Sequence, residues 1–305
     1  MVVALLAIAG SALGFLVYQA RRAPEGRPEY VALGSSFAAG AGLGPLQRRS
    51  PLVCARSIDG YPQQLARLLR LSIVDMSCGG ATAKQVLDGG QFFQGPQVRA
   101  VDIRTRLVTI TVGGNEIGYI GDLSMLAARN SGSAFGWLVR HVWSGPKDPA
   151  DRDYRGLERN LASTIGTIRK RTPNAVVVLA TYPAILPPSG TCARVGLSTA
   201  EADLMRGVAL RLEEATRGAA VAGNVLLVDM QVLGKEHNAC SNEPWTRGWT
   251  NGGIAPFHPT LLGAQATARA IAETLHGSPA GVTAVHNNDA SGQEAGGVGR
   301  EEQHD

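Results

Sequence analysis

Residues 30–45 read YVALGSSFAAGAGLGP, a stretch in which a short apolar run ends in two serines and a series of small residues. The run YVALG carries no charge, which is typical of a strand buried on both faces of a parallel sheet. Ligands of open α/β sheets bind beyond the carboxyl ends of the strands. Ser35 and Ser36, which follow this run directly, are therefore candidate functional residues.

Four further apolar runs resemble the first and alternate with helical patterns. The candidate strands are YVALG (30–34), SIVDM (72–76), RLVTITV (106–112), AVVVLATY (175–182) and VLLVDM (225–230). Hydrophobic periodicity predicts helices over residues 61–70, 81–88, 155–171, 198–218 and 260–275. This alternation favours an α/β fold with right-handed crossovers and a central, mostly parallel five-stranded sheet.

The composition suits one folded domain. The 305 residues are 44% hydrophobic and 18% charged, which supplies enough apolar material for a core. The net charge is +4, but lysines and arginines are scattered and not interleaved with aromatic residues, so nucleic-acid binding is not expected. We expect a monomer whose folded domain covers residues 29–276. A polar linker at 21–28 precedes it, and the aperiodic tail at 277–305 is predicted to be disordered.

The N-terminal segment differs from the rest of the chain. Residues 2–19 carry no charge, and Arg21 and Arg22 follow. At about 1.5 Å rise per residue this length just spans a bilayer, so residues 1–20 are predicted to be a membrane anchor or a signal-like segment. There is no basic n-region or clear cleavage site, and a core helix is disfavoured because the segment is apolar all round. The flanking arginines favour a cytoplasmic domain by the positive-inside rule.

Four cysteines point to the opposite compartment. Cys54, Cys78, Cys192 and Cys240 lack zinc-ligand spacing, and their even number suggests two disulfides in an oxidising location. Sequential pairing, Cys54–Cys78 and Cys192–Cys240, is our hypothesis among three possible connectivities. Four free thiols are a further alternative. We favour export and predict a secreted or cell-envelope protein.

Residues past the predicted strands form a consistent acyl-transfer site. Ser36 is the candidate nucleophile, and His258, before the last helix, is the best placed of six histidines to remove its proton. The backbone N–H groups of Ser36 and Gly80 and the Asn115 side chain are candidate oxyanion donors. Nothing in this set requires a metal or cofactor. The glycines at 40–44 have the wrong spacing for dinucleotide binding.

These blocks resemble the SGNH (GDSL-type) hydrolases, whose named residues are a serine, a glycine, an asparagine and a histidine. The four blocks appear in order as Gly34-Ser35-Ser36-Phe37, Cys78-Gly79-Gly80-Ala81-Thr82, Gly113-Gly114-Asn115-Glu116 and Ala255-Pro256-Phe257-His258. The resemblance runs from about residue 30 to 275. It implies a three-layer α/β/α fold of flavodoxin-like type and hydrolysis of carboxylic esters by an esterase or lipase.

One departure from the family pattern affects the proposed chemistry. Ala255 stands where the family usually has the aspartate that orients the histidine. Some secreted members use a main-chain carbonyl three residues before the histidine, so we predict a Ser36–His258 dyad oriented by the carbonyl of Ala255. A carboxylate from elsewhere, Asp229 or Glu243, is the alternative. Ser35 for aspartate, Phe37 for leucine and Glu116 for aspartate remove no catalytic group.

The substrate is expected to be an acyl lipid or an acylated small molecule, with the membrane approached through residues 2–19. Irregular segments at 117–150, 183–197 and 231–257 are predicted to form the walls of the site. Two other functions stay open. One is an envelope acyltransferase or deacetylase acting on glycan or lipid, and the other is a catalytically inactive binding module.

Overall fold

The structure is a computed structural model that describes residues 2–21, 26–250, 253–279 and 281. Half of the predicted linker and nearly all of the predicted disordered tail lie outside the described residues.

The centre of the molecule is a five-stranded sheet with all strands parallel. The strand order is β2-β1-β3-β4-β5, which requires a crossover after β2 and places β1 and β3 in the middle. The strands are β1 (Tyr30–Gly34), β2 (Ile73–Asp75), β3 (Leu107–Thr111), β4 (Val176–Ala180) and β5 (Leu226–Val228). All five predicted strands are confirmed. β1, β3 and β4 are buried throughout, as their charge-free sequences indicate, whereas the edge strands β2 and β5 are partly exposed.

Helices cover both faces of this sheet. One face packs on α3 and α10, and the other packs on α4, α5, α7 and α8. The helices are α1 (Val2–Arg21), α2 (Ser36–Ala39), α3 (Tyr61–Leu69), α4 (Ala83–Asp88), α5 (Tyr119–Asn130), α6 (Ala134–Val142), α7 (Tyr154–Arg171), α8 (Thr199–Gly223), α9 (Met230–Leu233) and α10 (Leu261–His276). The three-layer α/β/α prediction is confirmed.

The prediction of an irregular wall over 117–150 is wrong, because this segment contains α5 and α6. Gly136 lowers the helix propensity of α6. A Cβ at this position would lie 2.2 Å from the carbonyl oxygen of Ala128, so glycine is what lets α6 approach the end of α5. Tertiary packing therefore overrides local propensity here.

The charge-free N-terminal segment forms α1. Among the described residues, no helix is long and apolar enough to cross a bilayer, so the membrane segment predicted at 2–19 has no support in the fold.

Candidate active site

Ser36 is the first residue of α2, at the carboxyl end of the central strand β1. The turn between them is tight: Gly34 has a φ of 144°, and a Cβ there would lie 2.3 Å from the carbonyl oxygen of Thr111 on β3. That same carbonyl accepts a hydrogen bond from the N–H of Ser35 at 2.9 Å. Only glycine permits this approach, so Gly34 fixes where the chain leaves the sheet and where Ser36 lies.

His258 contacts Ser36 although 222 residues separate them. Its Nε2 lies 2.8 Å from Ser36 Oγ, the geometry of a hydroxyl donating to an imidazole nitrogen. The structure thus brings together the predicted nucleophile and the predicted base.

The carbonyl that contacts the other imidazole nitrogen is not the predicted one. His258 Nδ1 lies 2.8 Å from the carbonyl oxygen of Pro256, two residues away, and not from that of Ala255. The reason is the backbone of Phe257, whose φ of 60° turns the chain back and aims the preceding carbonyl at the ring. A carbonyl only accepts, so Nδ1 carries the proton and Nε2 is left to accept from Ser36.

Neither alternative carboxylate is bonded to His258 in the described part of the chain. The Asp229 carboxylate accepts from Arg217 and, at 3.0 Å, from the N–H of Val232 at the start of α9. Glu243 enters the hydrogen-bond network through its main-chain carbonyl, which pairs with the ring of His237.

Burial lowers the pKa of His258 below its ordinary value, because the charged imidazolium loses solvation. The hydrogen bond to Pro256 opposes this shift, and the nearby charge of Arg247 adds to it. The lowered pKa keeps the imidazole neutral at neutral pH, the form able to accept a proton.

The loop with the glycine pair presents one open backbone donor. The N–H of Gly79 donates to the carbonyl of Cys54 at 3.0 Å, whereas the N–H of Gly80 has no partner within the described chain. Gly80 has a φ of 79°, which a residue with a side chain adopts at a cost. The N–H of Ser36, at the first position of α2, is likewise without a partner among the described residues.

Asn115 lies beside this loop, just past β3. Its Nδ2 donates to the carbonyl of Ala81 at 2.8 Å and keeps a second proton for another acceptor. Glu116 follows Asn115 in the chain, and its carboxylate accepts from the N–H of Ala83 in the first turn of α4. This bond joins the turn that carries Asn115 to α4. Burial raises the pKa of Glu116.

Several supporting residues were missed by the sequence reasoning. The hydroxyl of Tyr182 accepts from the N–H of Gly114 at 3.2 Å and lies 3.0 Å from Ser35 Oγ, so it joins the serine turn to the asparagine turn. Burial raises the pKa of Tyr182 to about 12, so it stays protonated. Gln97 bonds both the N–H and the carbonyl of Gly34. Tyr182 lies just past β4, but the strand predicted over 175–182 included it, so the rule applied to strand ends did not reach it.

Two disulfides brace the loops around the site, in the sequential pairing of our hypothesis. Cys54–Cys78 joins the glycine loop to the 3-10 turn Leu52–Cys54. Cys192–Cys240 supports the segment before His258.

Arg247 connects the two sides of the site. Its Nη2 donates to the carbonyl of Gly42, just beyond α2, at 2.8 Å, and its backbone N–H donates to the carbonyl of His258 at 2.9 Å. No sequence motif pointed to this residue.

Comparisons with known proteins show the family to which the chain belongs. The family model described as GDSL-like Lipase/Acylhydrolase matches residues 32–266. Lipase 2 of Streptomyces coelicolor is 29% identical over 272 residues, covering 84% of this chain and 90% of that protein.

Two solved structures are also similar. The extracellular lipase of Streptomyces rimosus has a TM-score of 0.64 and 27% identity, with 81% of this chain and 98% of that chain covered. Phospholipase A1 of Streptomyces albidoflavus has a TM-score of 0.62 and 26% identity over the same shares.

Proposed function

The chain belongs to the GDSL-like lipase/acylhydrolase family and is a serine ester hydrolase, and on that premise we propose that Ser36 and His258 form its catalytic dyad. The observation that carries the proposal is the 2.8 Å contact between Ser36 Oγ and His258 Nε2, with Nδ1 bonded to the carbonyl of Pro256.

The proposed reaction proceeds through an acyl-enzyme. Ser36 Oγ attacks the carbonyl carbon of the ester while its proton passes to His258 Nε2. The tetrahedral intermediate collapses as His258 returns that proton to the leaving alcohol. Water then attacks the acyl carbon as its proton passes to His258 Nε2. The second tetrahedral intermediate collapses as His258 returns that proton to Ser36 Oγ, which releases the acid and restores the serine hydroxyl.

The oxyanion of the intermediate would be bound by the N–H groups of Ser36 and Gly80 and by the Asn115 amide. Their open donors support this role. In place of a carboxylate, the Pro256 carbonyl would hold the imidazole in the required tautomer, and its dipole would stabilise the imidazolium.

We further propose that the substrate is a fatty-acyl ester and that the domain is exported. The similar proteins are named lipases and a phospholipase A1, and one of them is named as extracellular. Export also accounts for two disulfides. Fractionation of expressing cells tests it, since retention in the cytoplasm with reduced cysteines would contradict it. The catalytic unit is taken as residues 29–276.

The dyad is tested by hydrolysis of p-nitrophenyl esters, from acetyl to palmitoyl, by the full chain. Ser36→Ala and His258→Ala are each expected to lower kcat by about 10⁴-fold or more. Asn115→Ala is expected to lower it by about 10²–10³-fold. His237→Ala is the control for loss of a histidine outside the proposed dyad, because this ring stacks on Trp245 and pairs with the main-chain carbonyl of Glu243. A folded Ser36→Ala protein with undiminished turnover would refute the proposal.

A further inference from the structure

Three large apolar side chains are exposed beside the Gly80 loop. Leu52 is 72% exposed, Phe92 48% and Phe93 55%, and we call these three residues the apolar platform. They come from two 3-10 turns, Leu52–Cys54 and Gln91–Phe93. Exposed apolar residues are common singly, but a group of them on neighbouring turns marks a binding surface.

Both turns are fastened to the loop that carries the proposed oxyanion donor. Gln91 Nε2 donates to the carbonyl of Gly79 at 2.6 Å. Gln94 Nε2 lies 2.9 Å from Cys54 Sγ and 3.2 Å from Cys78 Sγ, at the disulfide itself. The platform therefore has a fixed position relative to Gly80.

The platform is held at a conformational cost. Phe92 and Phe93 have φ values of 46° and 63°, so two consecutive bulky residues lie in the left-handed region. Asparagine adopts this region more readily than phenylalanine does. Both residues stay about half exposed although α1 packs against their turn, and conformational strain of this kind concentrates at functional sites.

Cationic side chains lie next to the platform. A cavity of about 190 Å³ is lined by Pro51 and Gln94, the chain neighbours of Leu52 and Phe93, and by Arg48, Arg49, Arg56 and Arg99. Arg56 is buried, and its Nε and Nη2 are fixed by the carbonyls of Ser77 and Met76. Asp75 is the one carboxylate among the described residues that line the same cavity, and the arginines of this described lining outnumber it.

We propose that the apolar platform and the adjoining arginines dock the protein on an anionic lipid surface. Aromatic side chains enter the boundary between headgroups and acyl chains, while arginines remain at the level of the phosphates. Exposed rings beside cations fit such a layered surface better than they fit a soluble ligand. Docking would bring acyl esters directly to Ser36, and in this sense the inference rests on the proposed function.

The test is co-sedimentation of the full chain with vesicles of phosphatidylcholine, alone or mixed with phosphatidylglycerol. All proteins carry Ser36→Ala so that lipid is not consumed. The combined Phe92→Asn and Phe93→Asn change is expected to weaken binding to the mixed vesicles at least about tenfold, from lost apolar burial. Because asparagine relieves the backbone, the urea midpoint is expected to stay unchanged or rise.

Two further variants separate apolar from electrostatic docking. Arg48→Gln, at an exposed cation of the cavity rim, is expected to weaken binding about fivefold on mixed vesicles at low salt and to leave binding to phosphatidylcholine unchanged. Val221→Asn is the matched control, because Val221 is 77% exposed at the far end of α8, and it is expected to change nothing.

A third measurement distinguishes this inference from the proposed dyad. With Ser36 restored, the double asparagine variant is expected to hydrolyse soluble p-nitrophenyl acetate like the parent. Vesicle binding that survives the double change would overturn the docking surface. A loss of acetate turnover would also overturn it and would place the platform in the catalytic machinery. Failure of Ser36→Ala to abolish turnover would count against the dyad alone.

Discussion

Two loops complete the site around Ser36, and they do so by different means. The Gly80 loop, residues 77–82, offers a backbone N–H and is held by a disulfide and by the carbonyl of Cys54. The His258 loop, residues 238–260, forms no helix in its described residues and presents a side chain. It is held by an isolated antiparallel bridge between Thr246 and Pro259, by Arg247 and by the second disulfide.

The difference shows that a backbone donor and a side-chain base need different support. A backbone N–H moves whenever its peptide moves, so the Gly80 loop must be rigid at every bond. An imidazole is aimed by two hydrogen bonds at its ring, so the surrounding His258 loop tolerates change provided that Pro256 and Ser36 stay in place. Mutations in the Gly80 loop should therefore lower activity more than stability. Mutations in the His258 loop should lower stability more than activity.

The largest expected effects come from the two disulfides. Loop-closure entropy predicts a loss of about 4 kcal/mol in unfolding free energy for Cys192→Ser with Cys240→Ser, and about 3 kcal/mol for Cys54→Ser with Cys78→Ser, because the closed loops span 48 and 24 residues. We expect the loss of kcat to follow the opposite order, since only the removal of Cys54–Cys78 releases the Gly80 loop. Urea unfolding and p-nitrophenyl butyrate turnover measure both quantities, and an identical order in both would contradict the comparison.

Gly80→Ala tests the rigidity of the backbone donor. Left-handed backbone costs a residue with a Cβ about 1–2 kcal/mol, and the new methyl would lie 3.2 Å from Gln91 Nε2. Gly190→Ala is the control, because Gly190 has a φ of 65° and nothing within 4 Å of a new Cβ. The stability loss is expected to be similar in both, with kcat reduced only in Gly80→Ala. Equal kcat in both proteins would show that the donor at this position does not depend on glycine.

Asp229→Asn tests whether a distant carboxylate serves the His258 loop. The change weakens the contacts with Arg217 and with the N–H of Val232, so unfolding free energy should fall by about 1 kcal/mol. Turnover per folded molecule should be unchanged, because the Pro256 carbonyl contacts His258. A collapse of kcat without unfolding would show that this carbonyl does not suffice.

Arg247→Gln is expected to have the smallest effect, a shift in the pH profile. Burial and then the Arg247 charge lower the pKa of His258, so loss of that charge lets the pKa rise. The base becomes protonated at a higher pH, and the acid limb of kcat/KM moves upward. Arg247→Lys keeps the charge and should keep the limb. An unmoved limb in Arg247→Gln would mean that the Arg247 charge does not contribute to the pKa of His258.

The same lowered pKa has a consequence for stability. The unfolded chain binds a proton on His258 before the folded chain does, because the ordinary pKa is about 6.5. The contribution of this residue to folding is therefore complete above that pH and declines as the pH falls below it.

Much of this site could be predicted from local sequence. Ser36 and Asn115 follow charge-free strands, and the parallel arrangement of β1 and β3 places both residues at one edge of the sheet. His258 was the histidine best placed by sequence, just before the last helix. The contact between Ser36 and His258 agrees with that prediction, and their roles stay predictions until the variants are measured.

What sequence reasoning missed depends on contacts between distant segments. The carbonyl of Pro256 reaches the ring only because Phe257 adopts a positive φ, which no propensity favours for phenylalanine. Tyr182 and Gln97 act through bonds to Gly114 and Gly34, which are 68 and 63 residues away.

The sequence by itself determined the strands and the layers, and it predicted which residues are the reactive groups. Buried strands require unbroken apolar runs, and nucleophile, base and oxyanion donor each require particular residue types. The tertiary structure alone decided which carbonyl orients His258, which glycine keeps an open N–H and where two exposed phenylalanines stand. Hydrogen bonds of this kind depend on positions fixed to within tenths of an ångström, and only the packed fold sets those positions.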